Sequence, residues 1–129
     1  MKRAYALVVL ALASTAASAC GGGEAMTAGS KSTVVIAVNP ELGNDLGFRT
    51  KSASARAGDV KVVLRNPQLG VEHDLRVEDA EGNQLGATEV ITEGSDSFTL
   101  EDLESGEYFY FCSVPGHRPA GMEGTLTVE

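Results

Sequence analysis

Apolar residues in this chain recur at every second position, in runs of four to seven residues, and glycine, proline or asparagine cuts each run short. A period of two places such residues on one face of a strand, and no stretch here sustains the 3.6-residue period of an amphipathic helix. Val34, Ile36 and Val38 alternate within 33–38, and Val60, Val62 and Leu64 within 59–65. Segment 73–78 turns Leu75 and Val77 inward; 88–92, 97–100, 107–112 and 124–128 read as further strands. Turn signals separate them at Asn39-Pro40, Gly58-Asp59, Asn66-Pro67, Gly82-Asn83, Glu93-Gly94 and Ser105-Gly106. About eight short strands at this spacing predict an all-β chain, an antiparallel Greek-key sandwich or barrel. Residues 40–50, with Leu42, Leu46 and Phe48, are open between a loop and a short helical turn.

A chain of 129 residues with 43% hydrophobic and 22% charged residues has room for one domain. A folded part of roughly 100 residues buries about 60–65% of its unfolded surface, so the domain is expected to fold without a cofactor. That domain is placed at 33–129. Residues 1–19 read as a targeting segment: Lys2 and Arg3 precede an apolar stretch at 4–13, too short to span a bilayer, and Ala17-Ser18-Ala19 ends at Cys20. Ala-Ser-Ala-Cys is similar to a bacterial lipoprotein box, with Ala17 where a large aliphatic residue is usual. Residues 20–32 are rich in Gly, Ser and Ala and read as a flexible tether. The expectation is an exported protein in the periplasm or on the outer face of the cytoplasmic membrane, anchored by lipid on Cys20.

Eighteen acidic residues oppose ten basic ones, a formal net charge of −8. The acids gather in two clusters, Glu72, Asp74, Glu78, Asp79 and Glu81, then Glu101, Asp102, Glu104 and Glu107. This balance argues against nucleic acid or anionic lipid surfaces as partners and suits a basic protein partner. A monomer is expected.

Chemistry concentrates near the C-terminus. Cys112, His117 and Met122 are each separated by four residues, and His73 is the only other histidine. With Cys20 assigned to processing, Cys112 is the sole thiol of the domain, and an unpaired thiol in an oxidising compartment usually has a task or a metal. One thiolate, two imidazoles and a thioether are the ligand list of a mononuclear blue-copper centre. They tolerate both oxidation states, because nitrogen donors suit Cu(II) and sulfur donors suit Cu(I). Pro115 and Pro119 stiffen the loop, while Gly116 and Gly121 allow turns beside the ligands. Phe109 and Phe111 read as ordinary sheet residues.

On Val71-Glu72-His73-Asp74-Leu75 and 110–125 the chain resembles a cupredoxin of the plastocyanin/azurin type, with a Cys-x4-His-x4-Met spacing similar to the auracyanin-like small blue copper proteins. The resemblance implies an eight-stranded Greek-key sandwich, one type 1 copper ion, His73, Cys112 and His117 as equatorial ligands and Met122 as the axial one. It also implies one-electron transfer through His117, within an apolar docking patch of Val114, Pro115, Pro119 and Ala120. Asp74, where the family more often has Asn, would pin the two ligand loops together near Ser113 or else point to solvent. A carboxylate there would favour Cu(II) and lower the potential.

Other centres fit less well. Structural zinc sites use two to four cysteines and no thioether. Multicopper oxidases and nitrite reductases need more than two histidines, and a binuclear copper centre needs a second loop cysteine. The expected role is therefore an electron carrier, not an enzyme, working with a c-type cytochrome or a membrane oxidoreductase complex. The alternative is a copper-binding lipoprotein that stores or delivers the metal without a redox circuit.

Overall fold

A computed structural model of the chain describes residues 30–40 and 46–129. Eight strands follow in order: β1 (Lys31–Ala37), β2 (Ser52–Ala55), β3 (Gly58–Asn66), β4 (Arg76–Glu78), β5 (Gln84–Ala87), β6 (Gly94–Leu103), β7 (Gly106–Phe111) and β8 (Glu123–Val128). They form a three-stranded sheet, β1-β3-β6, and a five-stranded sheet, β2-β8-β7-β4-β5. The all-β sandwich is as expected. Its pairing is mixed, not antiparallel throughout, because β1 runs parallel to β3 and β2 parallel to β8.

The alternation read in the sequence faces the core as anticipated. Val34, Ile36, Val60, Val62, Leu64, Leu75, Val77, Leu100, Tyr110 and Leu126 are buried between the sheets. Each such large side chain contributes roughly 1.5–3 kcal/mol through removal from water. Asp102, at φ 50°, sits in a bulge where β6 spends three residues, from Leu100 to Leu103, against two on β3. The extra residue lets both leucines face inward.

Three expectations shift. Ser52–Ala55 is a strand that hydrophobic patterning could not reveal, because its inward residues are only Ala53 and Ala55. Segment 88–92 is not a regular strand; the strand lies earlier, at β5, and Ile91 makes one isolated bridge with His73. Thr88 explains the interruption: its Oγ1 accepts the Leu75 amide at 2.9 Å, a ladder position that a backbone carbonyl would otherwise fill. Segment 73–78 is accordingly regular only over Arg76–Glu78. Part of 40–50 returns to the first strand, with Phe48 bridging Val38.

The ends of the sandwich differ. At one end Ser30 lies against Gly58, which pairs with Leu103, while Ala57 donates to the Glu129 carbonyl. Loops 66–75 and 112–122, which hold His73, Cys112, His117 and Met122, gather at the opposite end. Strand β1 starts at Lys31 and so takes in the last two residues of the expected tether; residues 20–29 of it, with Cys20 among them, and the targeting segment 1–19 lie outside the described residues.

Tyr110 supplies a pH dependence of the fold. Burial pushes its phenol up to about 12, and its hydroxyl donates to the Thr50 carbonyl at 2.7 Å. A phenol whose folded pKa exceeds its unfolded value of about 10 favours folding below pH 10, and that advantage is lost as pH climbs towards 12. Denaturant midpoints of the wild type should therefore fall between pH 10 and 12, and Tyr110→Phe should flatten that decline. An equally steep decline in the variant would assign it to other groups.

Candidate metal centre

Strand alternation delivers the first two donors. In segment 73–77, His73, Leu75 and Val77 share the inward face; in β7 and the residue after it, Tyr110 and Cys112 do. His73 and Cys112 are both fully buried. After Cys112 the chain makes successive turns: His117 N–H donates to the Val114 carbonyl at 3.0 Å, and Gly121 N–H to the Arg118 carbonyl at 2.9 Å. Gly116 and Gly121 take φ of 84° and 100°, the left-handed region where side chains are strained. Met122 closes the loop, its amide donating to the His117 carbonyl at 3.0 Å and its carbonyl accepting the Cys112 amide at 3.1 Å. Its side chain is fully buried.

The result brings Cys112 Sγ to 3.4 Å from His117 Nδ1 and 3.9 Å from His73 Nδ1. All three donor atoms lie within 4.8 Å of one another. With metal–sulfur and metal–nitrogen bonds of about 2.3 and 2.0 Å, a sulfur and a nitrogen donor some 110–120° apart around one ion would be about 3.5–3.7 Å apart, so this cluster fits a single first-row metal. Two imidazoles and one thiolate beside a methionine are the donor chemistry of copper rather than of structural zinc.

Gln68 prepares one of these donors. Its Oε1 lies 2.9 Å from His73 Nε2, so the imidazole proton sits on Nε2 and Nδ1 is left free to coordinate. Gln68 itself donates to the Asn39 carbonyl at 2.7 Å, and its amide is held by Asn66 Oδ1 at 3.0 Å. Nothing in the residue pattern marked Gln68, since glutamines before turns are common and only the fold brings 68 and 73 face to face.

Charge at the site follows from burial. Burial, followed by the neighbouring His117, lowers the His73 pKa to about 4 against the opposing pull of Asp74, so the ring is neutral and ligand-ready at pH 7. Burial raises the Cys112 thiol to about 11; the amides of Asp74 and Val114 oppose this and the Asp74 carboxylate adds to it. Metal uptake at neutral pH must therefore displace the thiol proton.

Asp74 does not point to free solvent. It is fully buried, its Oδ1 accepting the Ser113 amide at 2.6 Å and its Oδ2 accepting the Ser113 hydroxyl and, at 3.0 Å, Arg76 Nε. Burial acts most strongly on this carboxyl and raises its pKa, yet the hydrogen bonds from Ser113 and Arg76 together outweigh it and hold the group below the ordinary carboxylate range. Of the residues expected to form an apolar rim, Pro115, Pro119 and Ala120 are exposed, whereas Val114 is half-buried and packs on the core. Arg118 braces the loop from outside, its guanidinium 3.9 Å over the Phe111 ring and paired with Glu78 and Glu123.

Comparison with known proteins agrees with this geometry. Residues 34–129 match the family described as copper binding proteins, plastocyanin/azurin family. The chain belongs to that family. Auracyanin-B of Chloroflexus aurantiacus is 47% identical over 47 residues, a segment that is 36% of this chain and 20% of that protein. The chain thus spans one fifth of that relative's length. Plastocyanin of Scenedesmus fuscus is 28% identical over 101 residues, 71% of this chain and 99% of that protein. Among solved structures, auracyanin B superposes with a TM-score of 0.66 at 28% identity, covering 76% of this chain and 88% of that one. Rusticyanin from Thiobacillus ferrooxidans, at TM-score 0.64 and 21% identity over 78% of this chain and 79% of its own, shares the fold. Copper is the metal of the family, and His73, Cys112 and His117 are where this member brings donors together.

Proposed function

We propose that the protein carries single electrons on one type 1 copper ion held by His73, Cys112, His117 and, as a weak axial donor, Met122. The convergence of Cys112 Sγ with the Nδ1 atoms of both histidines, in a chain of this family, carries the reading. Copper bound there supplies a reversible one-electron change between Cu(II) and Cu(I). The residues supply rigidity. His73 is held by Gln68, Cys112 and Met122 by their mutual backbone bond, and His117 by the turn to Val114, so little need rearrange when charge changes.

Half-buried His117 is the proposed port, ringed by exposed Pro115, Pro119 and Ala120, with Val114 beneath. Leu69, 77% exposed, lies on the same end of the sandwich, on the loop that leads to His73. Exposed Glu72, Glu89 and Glu93 flank this end through the 66–75 and 88–94 segments, which supports a basic partner such as a c-type cytochrome or a basic face of a membrane oxidoreductase. Of the acidic residues read as clusters, Asp74 and Glu78 are engaged internally, and Glu101, Asp102 and Glu104 lie at the far end.

Export, with lipid on Cys20, completes the proposal. Entry of the chain into β1 at the end opposite His117 supports it, because a tether there would turn the metal end away from the membrane. Mixing the reduced copper-loaded protein with an oxidised basic c-type cytochrome tests the carrier role. Rapid electron transfer with copper retained is expected; slow transfer with copper passing to an acceptor protein would replace carriage with delivery. Met122→Gln, a harder axial donor, should lower the potential with copper still bound. A rise would remove Met122 from the axial position.

A further inference from the structure

Asp74 and Arg76 are two apart on the outward face of the segment that begins at His73, and their side chains form an ion pair, Nε to Oδ2 at 3.0 Å. The partners are unequally placed: the Asp74 side chain is fully buried, while that of Arg76 is 34% exposed. Asp74 is the neighbour of one copper donor and binds Ser113, the neighbour of another. Three donors converge on its two oxygens, from Ser113 N–H, Ser113 O–H and Arg76 Nε–H, which is the environment of an ionised acceptor. Arg76 is aimed by Gln84 of β5, whose Oε1 accepts its Nη1 at 2.7 Å. A negative charge in that position favours Cu(II), and among the described residues Arg76 is the cation paired with it.

Building on the copper-centre reading above, we propose that Arg76 sets the redox potential of the centre by neutralising Asp74 from the protein surface. Arg76 is a positioning residue in this scheme: it touches no copper donor and acts through Asp74. The bond from Ser113 N–H to Asp74 Oδ1, at 2.6 Å, places that charge one residue from Cys112. Removing the Arg76 charge uncovers Asp74 and stabilises Cu(II); removing the Asp74 charge does the opposite. Charges in partly solvated surroundings still interact by more than thermal energy over several ångströms, and the exposure of Arg76 reduces but does not erase this.

The test is spectroelectrochemical titration of the copper-loaded wild type, Asp74→Asn, Arg76→Gln, Arg76→Lys and the Asp74→Asn/Arg76→Gln double variant. Asp74→Asn should shift the equilibrium towards Cu(I) about tenfold, a rise of about 59 mV for one electron. Arg76→Gln should shift it towards Cu(II) about threefold, a fall of about 28 mV by the same relation. Arg76→Lys, which keeps the charge, should stay near the wild type, and so should the double variant. Arg76→Gln without a fall, or Arg76→Lys falling as far as Arg76→Gln, overturns the proposal.

A metal-free readout stands beside it. The Arg76 Nε–H signal in nuclear magnetic resonance should exchange slowly with water and lose that protection in Asp74→Asn; equal exchange in both proteins would also overturn it. A wild type that binds copper without an intense blue band defeats the copper-centre reading and this inference with it. A normal blue band with potentials that do not respond defeats this inference alone.

Discussion

Cys112→Ser is expected to abolish the intense visible absorption of the copper-loaded protein while leaving the sandwich folded. That absorption comes from charge transfer between thiolate and copper, and Cys112 is the only thiol among the described residues. Serine keeps the shape but offers a hydroxyl that does not ionise at neutral pH, so the soft donor and most of the preference for Cu(I) go with it. The fold should survive because the core does not depend on the metal. Ile36, Val60, Val62 and Leu64 are buried between the sheets on strands that carry no metal donor, and among the described residues no buried side-chain nitrogen or oxygen lacks a partner. For the same reason, stripping copper from the wild type with a chelator should leave its far-ultraviolet circular dichroism unchanged. A blue band surviving in Cys112→Ser would end the assignment of Cys112, and collapse of the metal-free spectrum would show that copper holds the domain together.

Gly124→Ala should be among the most damaging single-methyl changes in the domain, costing about 2–5 kcal/mol by combining overpacking with a lost buried hydrogen bond. Gly124 and Tyr110 are directly opposite on β8 and β7, and the phenol ring lies over the glycine in place of a side chain. A Cβ added at Gly124 would meet the Tyr110 ring at 2.3–2.5 Å. The ring has no room to retreat: its hydroxyl is tied to Thr50 and its edge packs against Phe48, centroids 5.6 Å apart. Urea denaturation of the metal-free protein measures the loss. Tyr110→Ala combined with Gly124→Ala should be much less harmful than the sum of the two, since each removes one side of the clash. Full additivity would mean the glycine is required for another reason.

How far the residues alone carried the fold differs from strand to strand. Where large apolar residues alternate, as at Val34, Ile36 and Val38 or at Val60, Val62 and Leu64, the buried face was readable, because a period of two leaves no other arrangement that hides them. Where alternation is carried by alanine, as in Ser52–Ala55, it was not, because alanine buries too little surface to mark a face. The misplaced strand near Thr88 had a different cause: a hydroxyl took over one rung of the ladder, an event that depends on a neighbour thirteen residues away. The direction of pairing was equally hidden, since parallel and antiparallel edges present the same periodicity. At the centre, the spacing of the Cys112 loop and the scarcity of histidine made the convergence of His73, Cys112 and His117 legible. Its supports were not: Gln68, Arg76 and Arg118 are ordinary polar residues until folding sets them against His73, Asp74 and Phe111.

Residue order alone was enough to determine an all-β chain with one thiol, two imidazoles and a thioether, because donor chemistry and strand periodicity are local properties of side chains. The tertiary structure decided the rest: which imidazole nitrogen is free, through Gln68; that Asp74 is buried and paired with Arg76; and that the chain enters the domain at the end away from His117. Behind each of these stands a contact between segments far apart in sequence: Asn39 holds Gln68, Ser113 covers Asp74, and Ser30 lies against Gly58. Burial and low dielectric, which give such contacts their strength, do not exist until the two sheets close on one another.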